Sequence, residues 1–138
     1  MNLTMKLKIA LVIAVLAFAL GKSRELSAQT LQFCENVSST GEAISSSTLF
    51  NIDQKGGSLK MLTVLPYRLG STQVIYDIYK VDPTGEEKYD NTIYQDSDAE
   101  WTWFWKEVTF YSAGRFNVYV YDRDRNFLTS GQVRIQYY

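Results

Sequence analysis

Apolar and polar residues alternate with a period of two along most of this chain, and the alternation is cleanest near its end. From Arg115 to Asp122, β-branched and aromatic residues recur at every second position behind Gly114, which predicts a strand. The polar cluster Asp122 to Asn126 closes that strand as a turn. In the run that follows, Val133, Ile135 and Tyr137 share one face, and Gln132, Arg134, Gln136 and Tyr138 share the other. The two runs form a hairpin with one wet face. A lone hairpin is marginal in water, so the upstream chain has to supply neighbouring strands and a second layer.

The upstream pattern does so. Short strands are predicted over residues 31–37, 47–52, 59–65, 72–81, 88–94 and 101–111. Residues 59–65 are nearly continuously apolar, as in a strand covered on both sides. Pro66 stops that run, because proline cannot donate to a central ladder. In residues 72–81, Val74, Tyr76 and Ile78 oppose Ile75, Asp77, Tyr79 and Val81. Asp82-Pro83-Thr84-Gly85 carries the signature of a type I turn, returning residues 88–94 antiparallel. No helical period appears beyond the first residues, and strands spaced by about ten residues predict an all-β antiparallel β-sandwich of seven or eight strands.

The first residues follow a different pattern. Lys6 and Lys8 precede an unbroken apolar run from Ile9 to Leu20, with small residues at Gly21, Ser27 and Ala28. Residues 1–28 therefore read as a secretory signal peptide and residues 29–138 as one β-sandwich domain. Cleavage is expected somewhere in residues 22–30. The apolar run is shorter than the roughly 20 residues of a spanning helix, so no stable transmembrane segment is expected after the leader is removed. The expected location is secreted or periplasmic.

Loss of the leader changes the charge. The whole chain holds 14 basic and 15 acidic residues. Without Lys6, Lys8, Lys22, Arg24 and Glu25 it holds 10 and 14, a net charge of −4. A mildly acidic domain with no basic run excludes nucleic acid as an expected partner. There is no histidine, which removes the usual general base, the Ser-His and Cys-His pairs and the commonest transition-metal ligand. No glycine-rich phosphate cradle is present. No enzymatic activity and no required cofactor are expected. Cys34 is the single cysteine, so no intrachain disulfide forms; it reads as a buried thiol on the first strand, with an intermolecular disulfide or a lipid attachment as the other readings.

The run Phe110, Gly114, Phe116, Val118, Val120, Asp122, then Leu128, Ser130, Gly131, Val133 and Ile135 resembles the final two strands of immunoglobulin-like modules of exported bacterial proteins, in particular the polycystic-kidney-disease and fibronectin-type-III groups. The resemblance covers about thirty residues. It implies a sandwich acting as a spacer, an adhesion unit or a glycan contact. The disulfide-bearing Cys-Trp-Cys branch is excluded by composition.

Two features carry candidate chemistry. Asp122, Asp124 and Asn126 form one alternating acidic cluster, and Asp96, Asp98 and Glu100 form another. Calcium takes closely spaced oxygens of this kind, as in the loops of C2 domains, so calcium-dependent adhesion is one reading. The other is a pair of solvated turns, with Arg123 and Arg125 interrupting the first cluster. The second feature is Trp101, Trp103 and Trp105 on one strand face, with Phe104, Val108 and Phe110 on the opposite one. If the Phe104 face is inside, the indoles stand near the surface as a platform for sugar rings or a protein hot spot. If a bulge near Lys106 and Glu107 flips the register, the indoles turn inward; they are also able to fill the sandwich rim. Tyr79, Tyr119, Tyr121 and Tyr138 fall on strand faces opposite the more aliphatic ones. Together these features predict a secreted, non-enzymatic binding or structural module. Its expected partner is a protein or a cell-surface glycan, met through a sheet face or edge. Carbohydrate binding through Trp101, Trp103 and Trp105 is the alternative.

Overall fold

The computed structural model describes residues 29–138; the signal-peptide reading of residues 1–28 lies outside them. The described chain is all β. Its strands are β1 (Thr30–Val37), β2 (Ala43–Ser46), β3 (Leu49–Ile52), β4 (Gly57–Val64), β5 (Gln73–Val81), β6 (Glu87–Asp96), β7 (Trp103–Phe110), β8 (Gly114–Asp122) and β9 (Phe127–Tyr137). One sheet has the order β2-β1-β4-β7 and the other β3-β9-β8-β5-β6. Strands β1, β4 and β7 thus take the A, B and E places of the immunoglobulin arrangement, and β5, β8 and β9 take C, F and G. No helix among the described residues is long and apolar enough to cross a membrane.

The alternation decides which face is inside. Phe33 of β1, Leu59 and Met61 of β4, Val74, Tyr76 and Ile78 of β5, Phe104 and Val108 of β7, Phe116, Val118 and Val120 of β8, and Val133 and Ile135 of β9 form one continuous core between the sheets. Leu62 is buried on the other face of β4, so the apolar run 59–65 is covered on both sides as expected. Cys34 is fully buried, its thiol donating weakly to the Lys60 carbonyl at 3.6 Å, and burial raises its pKa. Tyr76 is wholly buried; its hydroxyl donates to Gln95 Oε1 at 2.6 Å, and burial raises its pKa too.

The described residues form nine strands, one more than the pattern predicts, because residues 43–46 return as β2 beside β1. One pairing is also not antiparallel. Between β1 and β4 the chain passes to the other sheet, and β3 runs parallel to β9, with Phe50 opposite Ile135. Since β3 and β9 are far apart in sequence, no dedicated helical crossover is needed to align them.

Three turns share one construction. Gly41, Gly85 and Arg125 donate their backbone N–H to the carbonyls of Ser38, Asp82 and Asp122, and each has positive φ: 83°, 89° and 65°. In each, the first side chain accepts from the N–H groups two and four residues on: Ser38 Oγ, Asp82 Oδ1 and Asp122 Oδ1. Arginine therefore stands where the two sister turns carry glycine, in a conformation that costs a side-chain-bearing residue about 1 kcal/mol or more.

Candidate functional site

The indole strand settles first. Strand β7 pairs with β4 without interruption from Gly57 opposite Phe110 to Val64 opposite Trp103, so no bulge flips it, and Phe104, Val108 and Phe110 point into the core. Trp103 and Trp105 accordingly lie on the outer side, whereas Trp101, which precedes β7, packs against the core at the rim of the sandwich. All three line an open groove of about 720 Å³ together with Gln95 and Glu107 at the edges of β6 and β7. They do not stand clear of the protein as a row. Trp101 is half-buried, packed against the core and stacked on Phe104 at 6.1 Å. Trp103 lies beneath the β1–β2 turn, so closely that a Cβ on Gly41 would stand 2.5 Å from its ring. Trp105 is 40% exposed, with the Lys60 ammonium 4.4 Å above its ring. Gln95 Nε2 donates to the Trp105 carbonyl at 2.8 Å, which closes one outward backbone group of the edge. Lys106 lies on the core-facing side of β7, a charge of the kind that discourages edge pairing.

The two acidic clusters come to the same end of the five-stranded sheet, Asp96 opposite Gln73 and Asp122 opposite Val74. Their oxygens serve the turns. Asp122 Oδ1 accepts from the N–H groups of Asp124 and Asn126, and its Oδ2 from Asn126 Nδ2 at 3.0 Å. Asp98 Oδ1 accepts from the Glu100 N–H at 2.8 Å. Among the described residues no three acidic, cysteine or histidine side chains gather as a metal site would require.

A different surface is built more deliberately. On the outer face of the five-stranded sheet, register sets four rows across β6, β5, β8 and β9. They read Tyr94-Ile75-Tyr121-Phe127, Thr92-Asp77-Tyr119-Ser130, Tyr89-Tyr79-Asn117-Gln132 and Glu87-Val81-Arg115-Arg134. The side chains make a partial third layer, for Ile75 and Asp77 are only 4% and 7% exposed although they face away from the core. Tyr79 meets Tyr89 and Tyr119 edge to face at 6.0 and 5.6 Å, and Tyr121 meets Phe127 at 6.1 Å. Tyr89, Tyr94 and Phe127 remain more than half exposed.

Polar groups lock this layer. Asp77 accepts from Thr92 Oγ1 at 2.9 Å and from Arg125 Nη1 at 2.6 Å. The same guanidinium lies 5.5 Å from the Tyr121 ring, which is what the left-handed turn residue achieves. Glu87 reaches across β5 to accept from Asn117 Nδ2 at 2.6 Å and from the Tyr119 hydroxyl. These contacts hold the Glu87 carboxyl below its usual range and push the Tyr119 phenol up to about 12. Gln132 Nε2 donates to Asn117 Oδ1 at 2.8 Å. Sequence reasoning placed Tyr79, Tyr119 and Tyr121 away from the aliphatic faces. The same alternation put Asp77 and Gln132 on outward faces but not their contacts; Glu87 and Asn117 carried no local signal, and Arg125 carried one, an arginine where the sister turns have glycine.

No family model matches the chain, and no curated protein sequence matches it. Among solved structures it is similar to an immunoglobulin-like protein from Pseudomonas aeruginosa, with 16% identity and a TM-score of 0.49 over 78% of this chain and 92% of that one. It is also similar to parts of two enzymes. One is beta-glucosidase 3B from Thermotoga neapolitana in complex with alpha-D-glucose, with 12% identity, a TM-score of 0.39 and 78% of this chain covered. The other is the alkylpurine DNA glycosylase of Pseudomonas fluorescens bound to DNA containing an abasic site analog, with 13% identity, a TM-score of 0.34 and 77% of this chain covered. The match spans 16% of the first enzyme chain and 30% of the second.

Proposed function

We propose that this chain is an exported, non-enzymatic binding module that contacts a cell-surface glycan through the outer face of its five-stranded sheet. The observation that carries the reading is the interleaving on that face. Tyr79, Tyr89, Tyr119 and Tyr121 supply ring surfaces, and Asn117, Gln132, Ser130 and Thr92 alternate with them along adjacent rows. A sugar presents C–H faces and hydroxyl edges, and it needs both kinds of partner within one ring's reach. Rows two residues apart lie about 7 Å from one another, close enough for one saccharide to span two. The edge-to-face contacts and hydrogen bonds hold these side chains in place beforehand, which lowers the ordering cost of binding. An indole platform has less support, since Trp101 and Trp103 are already engaged within the fold.

A panel of soluble bacterial and plant polysaccharides in native affinity electrophoresis tests the reading. Retardation by at least one saccharide, lost in Tyr119→Ala and kept in Trp105→Ala, is the expected result. Loss in Trp105→Ala alone would assign binding to the β7 groove instead. Concentration-dependent association with no saccharide retained would assign the face to a protein partner.

A further inference from the structure

The fourth row of the face ends at a second groove, of about 800 Å³, lined among others by Lys80, Lys88, Gly114, Arg115 and Arg134. Four of the ten basic residues beyond position 28 line it, Arg115 and Arg134 from the outer face and Lys80 and Lys88 from the core-facing side at the sheet's end, in a stretch whose net charge is −4. The concentration is therefore local and not a reflection of overall basicity.

The pairing is unfavourable in the protein alone. Arg115 lies directly opposite Arg134, and Lys80 directly opposite Lys88. Like charges opposite one another destabilise a sheet. None of the four makes an ion pair; among the described residues the two pairs are Arg68 with Glu100 and Arg125 with Asp77. Their hydrogen bonds go to neutral groups, and the one carboxylate lining the groove is Asp82, whose pKa the Thr84 hydroxyl lowers most and the Lys88 ammonium helps to lower. Lys80 Nζ donates to Ser112 Oγ at 3.1 Å, and Arg115 Nη2 to the Asp82 carbonyl at 3.4 Å. Of the nearby carboxylates, Asp82 serves its own turn and Glu87 serves Asn117 and Tyr119. Gly114 keeps the floor low, since a Cβ there would meet Lys80 Cε at 2.8 Å.

We propose that this groove binds the anionic substituents, carboxylate or sulfate, of an acidic polysaccharide, whose sugar rings continue onto the adjoining row of Tyr89, Tyr79, Asn117 and Gln132. A bound anion would relieve the opposition of Arg115 and Arg134 on the outer face, and paired guanidinium groups suit planar carboxylates in two-pronged contact. The anion site stands on its own residues, while the placement of the rings rests on the tyrosine-face reading.

Binding of the purified protein to polygalacturonate, dextran sulfate, neutral dextran and phosphatidylglycerol vesicles separates the possibilities. Expected is retention of polygalacturonate or dextran sulfate over dextran, weakening as salt rises. The double variant Arg115→Gln/Arg134→Gln should bind it about tenfold or more weakly, with a melting temperature unchanged or higher as the like-charge opposition is removed. The control Lys55→Gln/Arg68→Gln should bind as before. Polyanion binding that is indifferent to Arg115 and Arg134, or vesicle binding without polysaccharide binding, overturns the proposal. Equal binding of neutral and acidic glycans, lost in Tyr119→Ala only, overturns it while leaving the tyrosine face standing. Polyanion binding lost in the arginine variant but kept in Tyr119→Ala does the reverse.

Discussion

Thr63 sits fully buried in β4 with a hydroxyl that has no hydrogen-bond partner. Removing an unsatisfied buried hydroxyl at constant shape recovers its desolvation cost, so Thr63→Val should raise stability by about 1 kcal/mol in denaturant titration. Gly41 is constrained twice, by its positive φ and by the Trp103 ring that a Cβ would strike. Gly41→Ala should therefore lower stability by about 1–3 kcal/mol and expose Trp103, read as a red shift in emission. The Glu87–Tyr119 contact predicts a pH dependence at both ends. Glu87 has a lowered folded-state pKa, so its contribution is present above its ordinary value of 4.5 and disappears as the pH falls through the lower folded value. Tyr119 has a raised one, so its contribution is present below 10 and disappears as the pH rises through about 12. In a phenolate absorbance titration, Glu87→Gln should move one late-titrating tyrosine back toward 10.

Period-two alternation made the elements legible because each strand buries one face. Once the Phe104, Val108 and Phe110 side of β7 is inside, Trp103 and Trp105 must be outside, and both sides were visible in the sequence, whereas Trp101 lies before the strand and packs at the rim. The choice between them was not, since a bulge is a property of the pairing with β4. A stability comparison checks the outcome: Phe104→Ala should cost about 3–5 kcal/mol, and Trp105→Ala, already partly solvated, about 1 kcal/mol. Residues 43–46 escaped notice because four mostly exposed residues carry no alternation to detect. The parallel seating of β3 on β9 was equally hidden, since local pattern shows that a strand exists and not which neighbour it takes. For the same reason the tyrosines were legible singly, while the four rows that join them arise only from register across β6, β5, β8 and β9.

At the scale of the whole molecule, the fold separates its duties. The four-stranded sheet closes its outer side upon itself, with Gly41 over Trp103 and Lys60 over Trp105. The five-stranded sheet instead presents an organised aromatic and amide surface running into a basic groove. Ordinary solvated sheet faces carry scattered charges, whereas this one keeps large aromatic groups exposed and holds Arg125 in a strained turn to brace them. The most direct test of this division is an amide and indole NMR shift map recorded while an acidic oligosaccharide is added. Shifts should concentrate at Tyr79, Tyr89, Arg115, Asn117, Tyr119 and Gln132, with the indole signals of Trp101, Trp103 and Trp105 unmoved. Shifts confined to the three indoles and Gln95, with β5, β6, β8 and β9 silent, would contradict it.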